Sequence, residues 1–335
     1  MNTKNKNPAF LDKMTDSPPP NIEAELRELR ISLDGTIPSK KLDDNLLIAT
    51  WNLRAFGGLT KKWVSTKNDS PKRDFRSMRC ITEIVSRFDV VALQEVRGKL
   101  RALRHMLAAL GPHWGLLLTD VTKGSAGNDE RMAFIFDTRK VKPSGLACEL
   151  VVPEDQDEAI TPNAFKRQFA RTPYAASFIS NGQTFILVSL HVLYGEKPQD
   201  RVSELKAIAE WLADWAKHEN SFDHNIIALG DFNIDRIADP LYEAFASTGL
   251  YTPQELNDIP RTIFGKPGDP STEKHYDQIA WFRNKRGVPR LSLDFSSAGS
   301  FDFTKVVMKS LSKTQISWKI SDHYPLWAEF LVKKK

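Results

Sequence analysis

From residue 46 onward the chain is a succession of short apolar runs, and five of them stand directly beside an acid, an amide or an imidazole. Ile48-Ala-Thr-Trp51 runs into Asn52, and Val90-Val-Ala-Leu93 into Gln94 and Glu95. Phe185-Ile-Leu-Val-Ser-Leu190 runs into His191, and Ile226-Ile-Ala-Leu229 into Gly230-Asp231-Phe232-Asn233. Ile320-Ser-Asp322-His323 lies just ahead of the last run. Runs this short suit buried strands. Asp and Asn often close strands as turn formers, which would account for any one position. The set constrains more: strand ends that meet at one rim gather carboxylates, amides and imidazoles around one cleft.

Helical patterns lie between these runs. Residues 75–87, 99–110 and 198–217 read as helices, and Gly111-Pro112 stops the second. Further strands are expected at 132–136, 175–179, 184–190, 278–282 and 326–332, with an Asn181-Gly182 hairpin turn between the second and third. Hairpins mixed with crossovers point to α/β layers with largely antiparallel sheets rather than a doubly wound parallel sheet. No internal repeat is visible. Residues 1–45 have a different texture: a flexible tail with Pro18-Pro19-Pro20, then a short amphipathic helix over 21–30 with Ile22, Leu26 and Leu29 on one face and Asn21 as its N-cap, then a linker at 37–41. The expected division is an extension over 1–45 and one domain over 46–335.

Composition narrows the classes. A chain of 335 residues can bury a sizeable core, and 47 Lys and Arg against 42 Asp and Glu leave a net charge of +5, which permits an anionic partner without demanding one. No apolar run approaches the ~18–20 residues of a membrane span. The first residues lack the apolar segment of a signal peptide, so a cytoplasmic location is expected, with periplasmic or secreted as the alternative. Cys80 and Cys148 make no disulfide scaffold and no metal-spaced cluster. Phosphate-loop, HExxH and GxSxG signatures are absent.

Glu95, Asp231 and Asp322, with the amides of Asn52 and Asn233, form an all-oxygen set of hard donors. Such a set suits Mg²⁺, or Mn²⁺ or Ca²⁺, far better than zinc. Asp231 and Asn233, two residues apart, face one side of an extended backbone. His191 and His323 suit acid–base work near neutral pH. Trp211 and Trp215 read as packing residues, and His105, His113, His218 and His224 as incidental surface residues; His275, beside Tyr276-Asp277, is the exception.

Trp51-Asn52-Leu53-Arg54 with Phe56-Gly57, Gln94-Glu95-Val96-Arg97, Gly230-Asp231-Phe232-Asn233, Tyr276-Asp277-Gln278-Ile279 and Ser321-Asp322-His323-Tyr324-Pro325 resemble, in this order, the motifs of the endonuclease/exonuclease/phosphatase superfamily. Within it, the Glu130-Arg131 pair and the Asn-x-Arg-x-Phe-Gly segment are most like the deoxyribonuclease I group. The resemblance implies a four-layer α/β sandwich, two packed and largely antiparallel β-sheets flanked by helices. It implies a divalent-metal-dependent phosphodiesterase acting on DNA, with no membrane span and no protein partner. Glu95 would be the main metal ligand, helped by Asn52 and Asp322. Asp231 and Asn233 would hold the scissile phosphate, a second metal or the attacking water. His191 and His323 would be the catalytic imidazoles, oriented by Glu130 and Asp277, and Arg54, Arg97 and Arg171 would meet phosphates or groove edges. The alternatives are a phosphoesterase of lipid head groups or inositol phosphates, and a binding protein that has kept the fold without catalysis. Four departures bear on substrate: Gln278 replaces an Arg, the 122–129 loop lacks a DNA-facing tyrosine, the cysteines do not reproduce the nuclease disulfides, and 154–169 reads as a long substrate-facing loop.

Overall fold

The computed structural model describes residues 17–122, 128–150, 171–192, 194, 198–218, 223, 225–266, 269, 272, 274–283 and 290–332. Six strands form the first sheet: β1 (Asn45–Phe56), β2 (Val90–Arg97), β3 (Trp114–Leu118), β4 (Glu130–Asp137), β11 (Asp294–Ser300) and β12 (Leu326–Leu331), in the order β11-β12-β1-β2-β4-β3. Six more form the second: β5 (Lys142–Glu149), β6 (Tyr174–Ser180), β7 (Gln183–His191), β8 (Ile226–Asp231), β9 (Leu250–Tyr251) and β10 (Asp277–Phe282), in the order β5-β6-β7-β8-β10-β9. In each sheet the central pair is parallel, β1 with β2 and β7 with β8, and the other pairs are antiparallel. A parallel pair needs a crossover, which α2 (Phe75–Val85) and α4 (Pro198–Lys217) supply. The two halves thus share one plan although their sequences show no repeat.

Strand periodicity builds the layers. Leu47, Ala49 and Trp51 of β1 and Val91 and Leu93 of β2 face a core shared with α2 and α3 (Arg101–Leu110), while Leu46, Ile48, Val90 and Ala92 face the second sheet. There they meet Leu187, Ile227 and Leu229, whose neighbours Ile186, Val188, Ile226 and Ala228 turn outward under Leu205, Ala209 and Leu212 of α4. The order is helix, sheet, sheet, helix, the expected four-layer sandwich. Trp211 and Trp215 pack edge to face at 4.9 Å on this outer side, as packing residues should. Cys80 lies in the first core and Cys148 on the far sheet, both as free thiols. No helix among the described residues is long and apolar enough to cross a membrane.

Several expectations need correction. The N-terminal helix, α1, spans Pro20–Thr36 and begins at proline, with Pro19 rather than Asn21 at the cap position and no side-chain cap. Pro20 presets the first turn, and Leu33 carries the apolar stripe one turn further than 21–30. Ile22, Leu26, Leu29 and Leu33 are all buried in the first core, and Arg76 pairs with Glu25 at 2.5 Å. Burial of each such side chain contributes about 1.5–3 kcal/mol before entropy is subtracted, so the helix is held firmly on the sandwich. The 37–41 stretch is pinned rather than slack: Ile37 is buried and Lys40 Nζ lies 2.8 Å from Asp137 and 3.4 Å from Asp89. His105 is buried and stacked on Phe75 at 5.3 Å instead of lying on the surface. The tail over 1–16, His224 and the 154–169 loop lie outside the described residues.

Gly230 makes the rim possible. Its φ is +136°, and a Cβ there would sit 2.0 Å from the Leu190 carbonyl oxygen. Only glycine lets β7 and β8 approach closely enough to set His191 opposite Asp231 in register. Gly230→Ala is expected to cost at least about 2–4 kcal/mol, combining backbone strain with the clash, or to prevent folding. Urea unfolding of the variant beside the wild type measures this.

Candidate active site

β1 and β2 do not end at Asn52 and Glu95, as the apolar runs suggest; both run on, and their pairing shifts register there. Ala55 and Glu95 adopt left-handed backbone at φ 47° and 58°. The turn is locked because Ala55 N–H donates to Glu95 Oε2 at 2.8 Å. Non-glycine residues in this region carry a cost, which the surrounding bonds must offset.

Asp231 is the hub. Its Oδ2 accepts from Asn52 Nδ2 at 2.9 Å across the two sheets, and its Oδ1 accepts from the Asn233 backbone at 3.0 Å. The same Oδ2 lies 3.7 Å from His191 Nε2 and 3.9 Å from His323 Nε2. Each ring's other nitrogen faces an acid: His191 Nδ1 is 3.1 Å from Glu130, and His323 Nδ1 is 2.7 Å from Asp277. Asn233 is turned by a left-handed backbone at φ 51° and held by its Nδ2 on the Val192 carbonyl at 2.7 Å. All seven side chains are buried.

Electrostatics follows the pairing. Burial alone would raise the Glu130 pKa, but the His191 contact and the Arg171 and Arg97 guanidiniums hold it below the ordinary carboxylate range. Burial alone would lower His323, but Asp277, with Asp231 and Asp322, outweighs it and raises the imidazole pKa. Folding therefore favours protonated His323. The stability this confers is fully present below the ~6.5 of a free imidazole and is lost as pH climbs through the raised folded value. Asp277→Asn removes the main support, so the alkaline limb of kcat/KM should move acidward, toward ~6.5. A pH–rate profile of the two proteins checks this.

Arg54, Arg97 and Arg171 reach the same rim, each against an acid. Arg54 lies 3.2 Å from Asp322 and 3.9 Å above the Trp318 ring. Arg97 lies 3.3 Å from Glu130 and 3.9 Å from Glu95, and Arg171 lies 2.7 Å from Glu130. Gln278 is buried, accepting from Thr252 at 3.0 Å and donating to the His275 carbonyl at 2.7 Å.

Supporting residues escaped the sequence reading. Ser321 Oγ donates to the Asn52 carbonyl at 2.5 Å and accepts from the His323 backbone at 3.1 Å, stapling β1 to the Asp322 segment. Buried Arg73 grips the carbonyls of Arg54, Ala55, Lys319 and Ile320, tying the same two segments. Asn128 donates to Glu130 at 2.6 Å. Gln94 bridges the sheets beneath the site, accepting from Thr50 at 3.2 Å and donating to Ser189 at 3.1 Å. Ser321 and Gln94, each inside a recognised motif, carried a sequence signal, whereas Arg73 and Asn128 carried none.

A sandwich of this order with acid-paired imidazoles at its rim has the architecture of a phosphoester hydrolase. A sequence model of the Endonuclease/Exonuclease/phosphatase family matches residues 49–323, and the chain belongs to that family, whose enzymes hydrolyse phosphoester bonds and generally use divalent metals. It is similar to a deoxyribonuclease of Thioalkalivibrio sp. (strain K90mix), 27% identical over 309 residues covering 88% of this chain and 73% of the relative. It is also similar to deoxyribonuclease-1 of Bos taurus, 25% identical over 311 residues covering 90% and 96%. Among solved structures, an endonuclease/exonuclease/phosphatase family protein from Bacteroides thetaiotaomicron superposes with a TM-score of 0.56 at 18% identity, over 87% of this chain and 99% of that one.

The residues present fit a hard divalent ion. Among the described residues no three His, Cys, Asp or Glu side chains gather closely enough to hold one. Asn52 Oδ1 is buried without a hydrogen-bond partner, an open acceptor of the hard oxygen kind that such an ion takes, as are the carboxylates of Glu95 and Asp322.

Proposed function

We propose that this protein is a divalent-metal-dependent phosphodiesterase that, like deoxyribonuclease I, cleaves DNA endonucleolytically. The observation that carries the reading is Asp231 Oδ2 standing 3.7 and 3.9 Å from two imidazoles whose far nitrogens face Glu130 and Asp277. Diester hydrolysis needs one proton removed from water and one given to the leaving oxygen, and two acid-paired imidazoles can meet both needs.

His323, whose proton is held by Asp277, is the donor to the leaving oxygen. His191, set by Glu130, takes the proton from the attacking water. Asp231 and Asn233 position that water and the phosphate between the rings. Arg54, Arg97 and Arg171 exchange their carboxylates for phosphate oxygens, as guanidinium forks can. Asn52, Glu95 and Asp322 would hold the metal, which supplies charge neutralisation for the phosphoryl oxygens.

A substrate panel tests this. With Mg²⁺, plasmid DNA and bis(p-nitrophenyl) phosphate should be hydrolysed, and a chelator should stop both. A preference for inositol phosphates or phosphomonoesters would defeat the nuclease reading in favour of a small-phosphoester hydrolase. Inactivity on every substrate would leave a binding protein.

A further inference from the structure

Behind the segment that carries Asp322 and His323 lies a cavity of about 520 Å³, within the range of small-molecule sites. Its walls are the reverse side of the active site. Thr262 forms a β-bridge with His323, the Ile263 backbone donates to the Asp322 carbonyl at 2.9 Å, and the Tyr324 backbone donates to the Arg261 carbonyl at 2.7 Å. His275 leads directly into the Tyr276-Asp277 pair.

The lining is cationic. Of its charged groups, Lys274 is paired with Asp235 at 2.9 Å and Lys305 with Asp302 at 3.4 Å. Arg261, Lys266 and Lys313 have no ion-pair partner among the described residues. Arg261 is the telling one, because its guanidinium is fully buried and meets only the carbonyls of Ile259 and Asp277. Asp277 and Asp258 favour its charge from nearby without forming an ion pair with it, and a buried guanidinium whose hydrogen bonds go only to carbonyls still favours an anion in the adjoining space. Asp258 is the remaining charged group of the lining; Ile259, Pro260 and Tyr324 give apolar surface, and His275 has a buried Nδ1 without a hydrogen-bond partner. Burial and Arg261 push the His275 pKa down to about 4, so it is a neutral group able to meet the edge of a base.

We propose that this cavity is a second binding site, taking one nucleotide unit with its phosphate toward Arg261, Lys266 and Lys313 and its base against Ile259, Pro260 and Tyr324. The source of that nucleotide rests on the phosphodiesterase reading: it is either a unit of the bound strand or a free mononucleotide released by hydrolysis. Because the walls are the backbone of Asp322–Tyr324 and the lead into Asp277, an occupant bears directly on the segment that places His323.

The probe is deoxyadenosine 5′-monophosphate, titrated into the full-length protein while the His275 ring signals are followed by NMR. The comparison is the double variant Lys266→Glu/Lys313→Glu. Both side chains lie outside the catalytic set, and an acid at the first position of the Lys313–Lys319 helix is compatible with that terminus. Saturable shifts at His275 in the wild type, with affinity weakened about tenfold or more in the variant, are expected. Turnover of bis(p-nitrophenyl) phosphate should be the same in both proteins, showing an intact catalytic site. A parallel rise in the KM for an oligonucleotide would assign the site to the substrate strand, and an unchanged KM to free nucleotide; either agrees with the proposal. Absence of shifts, or equal affinity in wild type and variant, overturns it. If the wild type hydrolyses no diester at all, the phosphodiesterase reading fails separately, whatever the nucleotide titration shows.

Discussion

Alanine at His323 is expected to slow DNA cleavage by about 10²–10⁴-fold, the usual worth of a positioned proton donor. The loss should depend on the leaving group. Nitrophenolate departs without a proton, so His323→Ala should lose much less on bis(p-nitrophenyl) phosphate than on DNA. His191→Ala, which removes the acceptor of the water proton, should lose a comparable factor on both substrates. The double variant should be little worse than the weaker single one, because the two rings act on one event. Asp231→Ala should disable both rings at once, since its Oδ2 is the group they share and Asn52 bonds to it. It should also cost about 1–3 kcal/mol of stability by leaving the buried Asn52 amide unsatisfied. Steady-state rates on the two substrates check the set, and equal losses on both for His323→Ala would refute its role as donor.

Glu95→Gln should be the other severe change, for a different reason. A glutamine carbonyl can still accept from Ala55 N–H, as Glu95 Oε2 does at 2.8 Å, so the left-handed turn survives. What disappears is one full negative charge from a donor set that otherwise holds the Asp322 carboxylate and the Asn52 amide. Activity at millimolar Mg²⁺ should fall at least about 10²-fold, the scale of a lost electrostatic contribution in such sites, and recover partly as Mg²⁺ is raised. Asn52→Ala should show the same metal dependence more weakly. Rate against Mg²⁺ concentration separates these variants from the histidine variants, whose defect added metal cannot repair.

Much of this site could be read from residues alone because its members stand beside apolar runs that only a sheet can bury. His191 and Asp231 close parallel neighbours β7 and β8, and Asn52 and Glu95 occupy the register shift of β1 and β2. The short motifs preserve such local placement. Three edge strands were less legible for physical reasons. β5 contains Pro143 and Gly145 and is half-exposed, β11 is rich in serine, and β3 has no side chain that is fully buried, so none shows a clean apolar alternation. The supports of the site were hidden differently. Arg73 and Arg261 are ordinary basic residues in sequence, and only the fold reveals that they are buried on backbone carbonyls. The three rim arginines were legible as cations, but their carboxylate partners, up to 268 positions away for the Arg54–Asp322 pair (322 − 54 = 268), were not.

The most direct measurement is a time course of supercoiled plasmid with wild type, His191→Ala and His323→Ala, each with Mg²⁺ and with Mg²⁺ plus excess chelator. Relaxed circles should accumulate only with wild type and free Mg²⁺, with both variants at least about a hundredfold slower. Plasmid that stays intact under wild type, or nicking that persists at the wild-type rate in either histidine variant, would contradict a nuclease built on two acid-paired imidazoles.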